Sequence, residues 1–256
     1  MSPSTLLNLP ARWGAPPVQG PGSLRASGQS LRCFPLVVLV LSVAACRSSS
    51  TGDSLPVPRP QAEEVARGAM ERTQVGEPTR IRFDFRVKEA DFRFSGQGLA
   101  RVEPPYRVRL DLFSGGGETI FQAALVEGNL RIPPWAPREL APPPALLWAA
   151  LGIFRPDPDL AFLGGREGRE GEITLRYGGA EDLDLRFRLR GGRLLRAELH
   201  REGHLQEEVD LSVDEATGTV TETVYRNHAL FLELTFSLKS TENVESFPAE
   251  IWYPGR

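Results

Sequence analysis

From residue 79 to 87 apolar and polar residues alternate, with Ile81, Phe83, Phe85 and Val87 set against Arg82, Asp84 and Arg86. Successive side chains of a strand point to opposite faces, so this period of two predicts a strand with one apolar and one wet face. The pattern recurs at residues 92–102, where Gly96 and Gly98 suggest a bulge or bend, and at Tyr106, Val108, Leu110 and Leu112. Residues 120–126 and 130–132 extend this first series. A second series covers residues 172–177, 182–190, 195–199, 205–213, 220–225 and 230–238, and a last strand is expected at 249–253. Its clearest member sets Leu183, Leu185, Phe187 and Leu189 against Asp184, Arg186 and Arg188, and Gly191-Gly192 then makes a tight hairpin turn.

Two segments leave this period. In residues 60–73, Ala62, Val65, Ala66, Ala69 and Met70 fall on one helical stripe, with Pro60 in the first turn and Glu63 and Glu64 towards the positive end of the dipole. Between residues 133 and 169 prolines stand at 133, 134, 137, 142, 143, 144, 156 and 158. They frame the uncharged run Ala145-Leu-Leu-Trp-Ala-Ala-Leu-Gly-Ile-Phe154, which reads as a short apolar helix acting as a core plug or a lid. Hairpin-linked alternating strands imply one antiparallel sheet, and accumulated twist must curl it. The fold expected is therefore mainly β (α+β), a single curved antiparallel sheet of about eleven strands forming an open half-barrel, with short helices over its concave face.

The N-terminal part is of a different kind. Residues 34–46, Phe34-Pro-Leu-Val-Val-Leu-Val-Leu-Ser-Val-Ala-Ala-Cys46, form an apolar run ending in small residues and a cysteine, preceded by Arg25 and Arg32. The run is shorter than the about 20 residues of a membrane-spanning helix and has the length of a secretory core segment. Val43-Ala44-Ala45-Cys46 resembles the lipobox of bacterial lipoproteins. That resemblance implies cleavage before Cys46, a diacylglyceryl group on its sulfur and an acyl chain on its new amine. Residues 1–45 are thus expected to be a lipoprotein signal peptide with an over-extended start. Residues 46–59, rich in Ser and Pro, form a lipidated tether, and residues 60–254 form the folded domain.

Charge narrows the function. The formal net charge is −3, and loss of residues 1–45 removes Arg12, Arg25 and Arg32 but no acid. An acidic chain argues against nucleic acid as a partner. The cysteines are Cys33 and Cys46, one leaving with the signal and one lipidated, so neither a disulfide nor a nucleophilic thiol is expected. His200 and His204 flank a hairpin turn near Glu202 and Glu207. Two imidazoles fall short of the three or four ligands of a zinc site, and solvated hairpin histidines are the better reading. His228 sits at a turn, and the Gly-rich stretches lack the strand-then-helix context of a phosphate loop. No catalytic residue, metal or cofactor is assigned, and the chain is not expected to be an enzyme.

The apolar face carries more. A curved sheet with only short helices has more such surface than they can cover, and a hydrophobic ligand can take the rest at about 0.8 kcal/mol per methylene. Candidate walls are Phe83, Phe85, Leu110, Leu112, Leu185, Phe187, Leu234 and Phe236, and candidate lid residues are Leu147, Trp148, Leu151 and Phe154.

This order of elements, over residues 59–254, resembles the LolA/LolB lipoprotein-carrier superfamily. The local likeness is strongest at Arg107-Val-Arg-Leu-Asp-Leu-Phe-Ser-Gly-Gly-Gly-Glu-Thr-Ile-Phe-Gln-Ala123, with Tyr225-Arg-Asn-His228 and Pro248-Ala-Glu-Ile-Trp-Tyr253 further on. The resemblance implies a carrier or receptor holding lipid or lipoprotein acyl chains and served by a periplasmic carrier protein. In the membrane-anchored branch the protein is itself a lipoprotein of the outer membrane facing the periplasm, in keeping with Cys46 and with Arg47 after it. The other reading left open is a structural or assembly lipoprotein of the envelope that binds a protein partner and carries no lipid.

Overall fold

The computed structural model describes residues 54–90 and 92–255; the apolar run, Cys46 and the start of the tether lie outside them. The chain enters with Leu55–Val57 (β1) and forms a helix at Arg59–Thr73 (α1). It then meanders through Thr79–Glu89 (β2), Phe92–Glu103 (β3), Arg107–Ser114 (β4), Thr119–Val126 (β5) and Asn129–Arg131 (β6). A Pro-rich arm carries a second helix, Pro144–Ala150 (α2). The second meander comprises Ala161–Glu167 (β7), Glu172–Gly178 (β8), Leu183–Arg190 (β9), Arg193–Arg201 (β10), His204–Val213 (β11), Val220–Asn227 (β12) and Leu232–Asn243 (β13).

All thirteen strands belong to one antiparallel sheet in the order β1-β7-β8-β9-β10-β11-β12-β13-β2-β3-β4-β5-β6. The two meanders are joined by β13 and β2, paired from Leu232↔Glu89 to Asn243↔Thr79. The terminal members β1 and β6 do not pair with each other, so the sheet is curved but unclosed, as the alternation requires. The inward positions of both meanders merge into one core, in which Phe83 on β2 meets Phe236 on β13 edge to face, centroids 4.9 Å apart. Aromatic pairs favour that arrangement because the positive ring edge faces the negative ring face.

Both helices lie against this face. Ala62, Ala66 and Ala69 of α1 are fully or nearly buried, and their small size lets the helix sit close to β7 and β10. The whole of α2 from Leu146 to Ala150 is buried, against β10, β11 and β12. Both helices begin at prolines, which cost nothing where the N–H would be unpaired.

Several local expectations are corrected. The sheet has thirteen strands, because β1 and β7 were not foreseen. β1 is only three residues long, and β7 contains Gly164-Gly165 and so shows no alternation. β1 also places the start of the folded unit inside the stretch read as tether. Residues 249–253 do not form a strand: Ala249–Trp252 is a 3-10 turn after Pro248, packed by Trp252 against Ala124 and Val126. Gly96 and Gly98 make no bulge, since β2 and β3 pair in unbroken register with Phe85 opposite Gly96 and Phe83 opposite Gly98. A Cβ on Gly98 would stand 1.9 Å from the Phe83 ring, so the glycine is there to let that ring lie across the neighbouring strand.

Candidate functional site

Where the helices stop, the sheet is left partly uncovered. A cavity of about 1100 Å³ lies there, just above the roughly 300–1,000 Å³ typical of small-molecule sites. Its floor is Val102 of β3 and Leu125 of β5, with the Pro104–Tyr106 and Glu127–Asn129 turns on one side. Met70, Gln74 and Val75 from the end of α1 form another side, and Trp148, Ile153 and Phe154 with the arm from Arg155 to Leu160 form the roof. Tyr177 of β8 closes the far side. The cavity thus reaches from the turns beside edge strand β6 to the start of the meander that ends at edge strand β1, across the seam where the sheet fails to close.

The local sequence explains the roof. Gly152, at φ +78°, turns the chain out of α2, and the Ile153 N–H returns to the Trp148 carbonyl at 3.0 Å. Phe154 is thereby driven inward, 1 % exposed, with its ring edge to face against Phe187 at 4.9 Å. Tyr177 lies 5.9 Å from Phe187, and burial raises its phenol to about 12. The next residue, Arg155, puts its guanidinium 4.1 Å from the Tyr106 ring centre and 5.0 Å from that of Trp148, and its Nη1 donates to the Pro105 carbonyl. Burial draws its pKa down, against a smaller upward pull from Tyr106.

The expected walls lie elsewhere. Phe83, Phe85, Leu110, Leu112, Leu185, Phe187, Leu234 and Phe236 are all in the packed core, 0–3 % exposed, and none borders the cavity. Of the expected lid, Trp148 and Phe154 border it, Leu147 is buried beneath, and Leu151 is half-buried. Residues that sequence reasoning did not single out are Met70, Val102, Tyr106, Leu125, Arg155 and Tyr177. Met70 gives a signal in retrospect: it sits on the apolar stripe of α1 yet is 41 % exposed, because it looks into the cavity.

No group of three His, Cys, Asp or Glu side chains among the described residues is arranged to hold a metal ion. His200, expected at the surface, is buried, and its Nε2 lies 3.1 Å from Glu198. His204 is exposed, and His228 stands 3.5 Å from Glu208. Glu198 itself is desolvated, but hydrogen bonds and charge from His200 and Arg196 overbalance that and lower its pKa. These groups belong to a cross-strand network on the polar face, where Arg196 bridges Glu198 and Glu208. Like charges directly opposite each other on neighbouring strands repel, and Glu198↔Glu208 is such a pair, so Arg196 acts as its internal counter-ion. None of the described helices is long and apolar enough to cross a membrane.

No protein-family model matches the sequence, and no curated protein is significantly similar to it. Similarity appears among solved structures. A LolA superfamily protein from Nitrosomonas europaea superposes with a TM-score of 0.51 at 12 % identity, covering 77 % of this chain and 98 % of that one. A putative outer membrane lipoprotein-sorting protein domain from Vibrio parahaemolyticus gives 0.43 at 10 % identity, over 75 % and 96 %. A DUF1329 family protein from Desulfovibrio piger gives 0.42 at 8 % identity, over 75 % and 97 %. This unclosed antiparallel sheet with two helices on its inner face thus shares its fold with the LolA superfamily protein from Nitrosomonas europaea.

Proposed function

We propose that the protein is a membrane-anchored binding protein for lipid or acyl chains, anchored through Cys46 to the outer membrane and facing the periplasm. On this reading it receives or inserts lipoproteins there. The observation that carries the reading is the cavity at the seam, lined by Val102, Leu125, Trp148, Ile153 and Phe154 and open at one side. At about 0.8 kcal/mol per buried methylene, ten methylenes would contribute roughly 8 kcal/mol before the costs of ordering the chain. No covalent step is needed: ligand exchange requires only that the arm carrying Trp148 and Phe154 shift. The eight core positions named above are buried in this packing, and they are the second tier of the proposed site.

The test is native mass spectrometry of the chain from Arg47 onward, isolated from a bacterial envelope, together with uptake of a fluorescent fatty acid. Bound lipid and saturable uptake are expected, and Ala145→Trp, which fills the cavity from its half-buried rim, abolishes uptake without unfolding the protein. Neither bound lipid nor uptake would sink the reading. Anchorage is tested separately: Cys46→Ser should end fatty-acid labelling of the protein and release it from the membrane fraction.

One observation favours a second reading, a structural or assembly lipoprotein with a protein partner. The β2–β3 and β12–β13 turns are neighbours, since Glu89 pairs with both Phe92 and Leu232, and they expose Phe92 at 61 % and Phe231 at 80 %. Under that reading Phe231→Ser weakens partner capture and leaves fatty-acid uptake unchanged.

A further inference from the structure

Most of the cavity is apolar, and among the residues that line it Arg155 is the one basic side chain. Its guanidinium is held between the Tyr106 and Trp148 rings, and Nη1 donates to a backbone carbonyl. Among the described residues no carboxylate forms an ion pair with it, and none accepts from its other N–H donors. Guanidinium groups stay protonated in proteins, and a cation partly withdrawn from water without a counter-charge favours an anionic partner. Stacking on the two rings offsets part of the lost hydration. The arrangement is therefore a fixed, half-buried cation with unused donors, at the rim of an apolar cavity.

We infer that the cavity takes an amphiphile with one anionic head, carboxylate or phosphate, whose charge meets Arg155 and whose chain runs along Trp148, Phe154, Val102 and Leu125. The inference rests on the acyl-binding reading and narrows it. An arginine fork matches both kinds of oxyanion through paired N–H donors. The ester and amide groups of a lipoprotein's acylated cysteine carry no such charge, which narrows the acyl-binding reading to lipid rather than lipoprotein cargo. The acids of the rim do not occupy the fork. Glu103 is held by Arg107 at 3.0 Å, the Asp157 carboxylate accepts the Asp159 N–H at 3.0 Å, and Glu127 and Asp159 are solvent-exposed.

The experiment titrates the full chain with cis-parinarate, then displaces it with a lysophosphatidylglycerol and with an uncharged monoacylglycerol of matched chain length. Anionic ligands should bind roughly tenfold or more tightly than the neutral one, the yield of a charge-assisted pair. Arg155→Leu should abolish that difference while leaving the neutral affinity in place, and Arg155→Lys should restore part of it. Preference for only one of the two anions identifies the head as carboxylate or phosphate. Equal affinity for neutral and anionic ligands would overturn the inference. So would an Arg155→Leu variant that weakens all three by one factor, because the arginine would then merely shape the mouth. If Arg155→Leu does not fold, the wild-type ranking with Arg155→Lys decides. Absence of binding by any of the three defeats the acyl-binding reading itself, which is a different result.

Discussion

Thr73 Oγ1 accepts the N–H of Phe154 at 2.9 Å while donating to the Ala69 carbonyl at 2.8 Å. One hydroxyl thus ties the last turn of α1 to the chain that leaves α2, and fixes the roof of the cavity to its side wall. Thr73→Val keeps the shape but leaves a buried N–H unpaired, at a cost of about 1–3 kcal/mol. Thr73→Ser should recover most of that loss in urea unfolding. Thr73→Val should also raise amide exchange at residues 153–155 selectively, since the segment leaving α2 is no longer pinned.

Gly98 and Phe83 form a second such pairing. A Cβ at position 98 meets the Phe83 ring at 1.9 Å, far inside contact distance, so Gly98→Ala should destabilise by about 1–3 kcal/mol through overpacking. Phe83→Leu removes the ring and should make Gly98→Ala much less harmful, so the double variant will cost less than the sum of the singles. Strict additivity would show that the glycine serves something other than the ring.

Asp111 is 2 % exposed and accepts from both Arg101 and Arg109, whose partner lies at 2.7 Å on the Arg109 side. Arg109 also donates to the Ile251 carbonyl, and Arg131 to the Trp252 carbonyl at 3.1 Å, so the cluster docks the C-terminal turn onto β4 and β5. Removing one member of a buried ion cluster leaves the others uncompensated, and Asp111→Ala should cost on the order of 3–5 kcal/mol. The C-terminal turn should become protease-sensitive before the sheet unfolds. Asp111→Asn removes the charge and keeps only one acceptor oxygen, turning its amide N–H donors towards one of the arginines, so it should recover little of that loss.

Tyr177 makes the cavity sensitive to alkali. Burial lifts its phenol to about 12, whereas in the unfolded chain it ionises near its ordinary 10.0. The stabilisation from keeping it neutral is complete below pH 10 and is lost as the pH climbs from 10 to about 12. Urea midpoints measured at pH 8 and pH 11 should therefore drop more steeply for the wild type than for Tyr177→Phe. Identical slopes would place the alkaline loss in other groups.

Much of this fold could be read from alternation alone, because a period of two fixes which face each residue of β2, β9 or β13 presents. What alternation cannot supply is the partner strand. Gly96 and Gly98 looked like a bulge because the Phe83 and Phe85 rings that need them sit on a different strand. β1 escaped notice because three residues carry no period, and β7 because its glycine pair has none. The candidate site was harder still. The eight core positions mark the apolar face, but which part of that face stays uncovered depends on where α1 and α2 land. Arg155 could not be singled out, since the carbonyl it reaches is fifty residues away, at Pro105.

Proline ends both edges of the sheet. Pro133 and Pro134 follow β6, Pro56 lies within β1, and Pro58 follows it. A residue without an N–H cannot extend a ladder, so β6 stops lengthwise soon after Arg131, and Pro56 interrupts the short margin of β1. Two edge strands of three residues each, bounded by proline, offer little ladder for closing the gap, a limit set by the backbone rather than by side-chain packing. On the proposed anchorage, such short margins would leave an entrance open and offer neighbours on the same membrane little edge to zip onto.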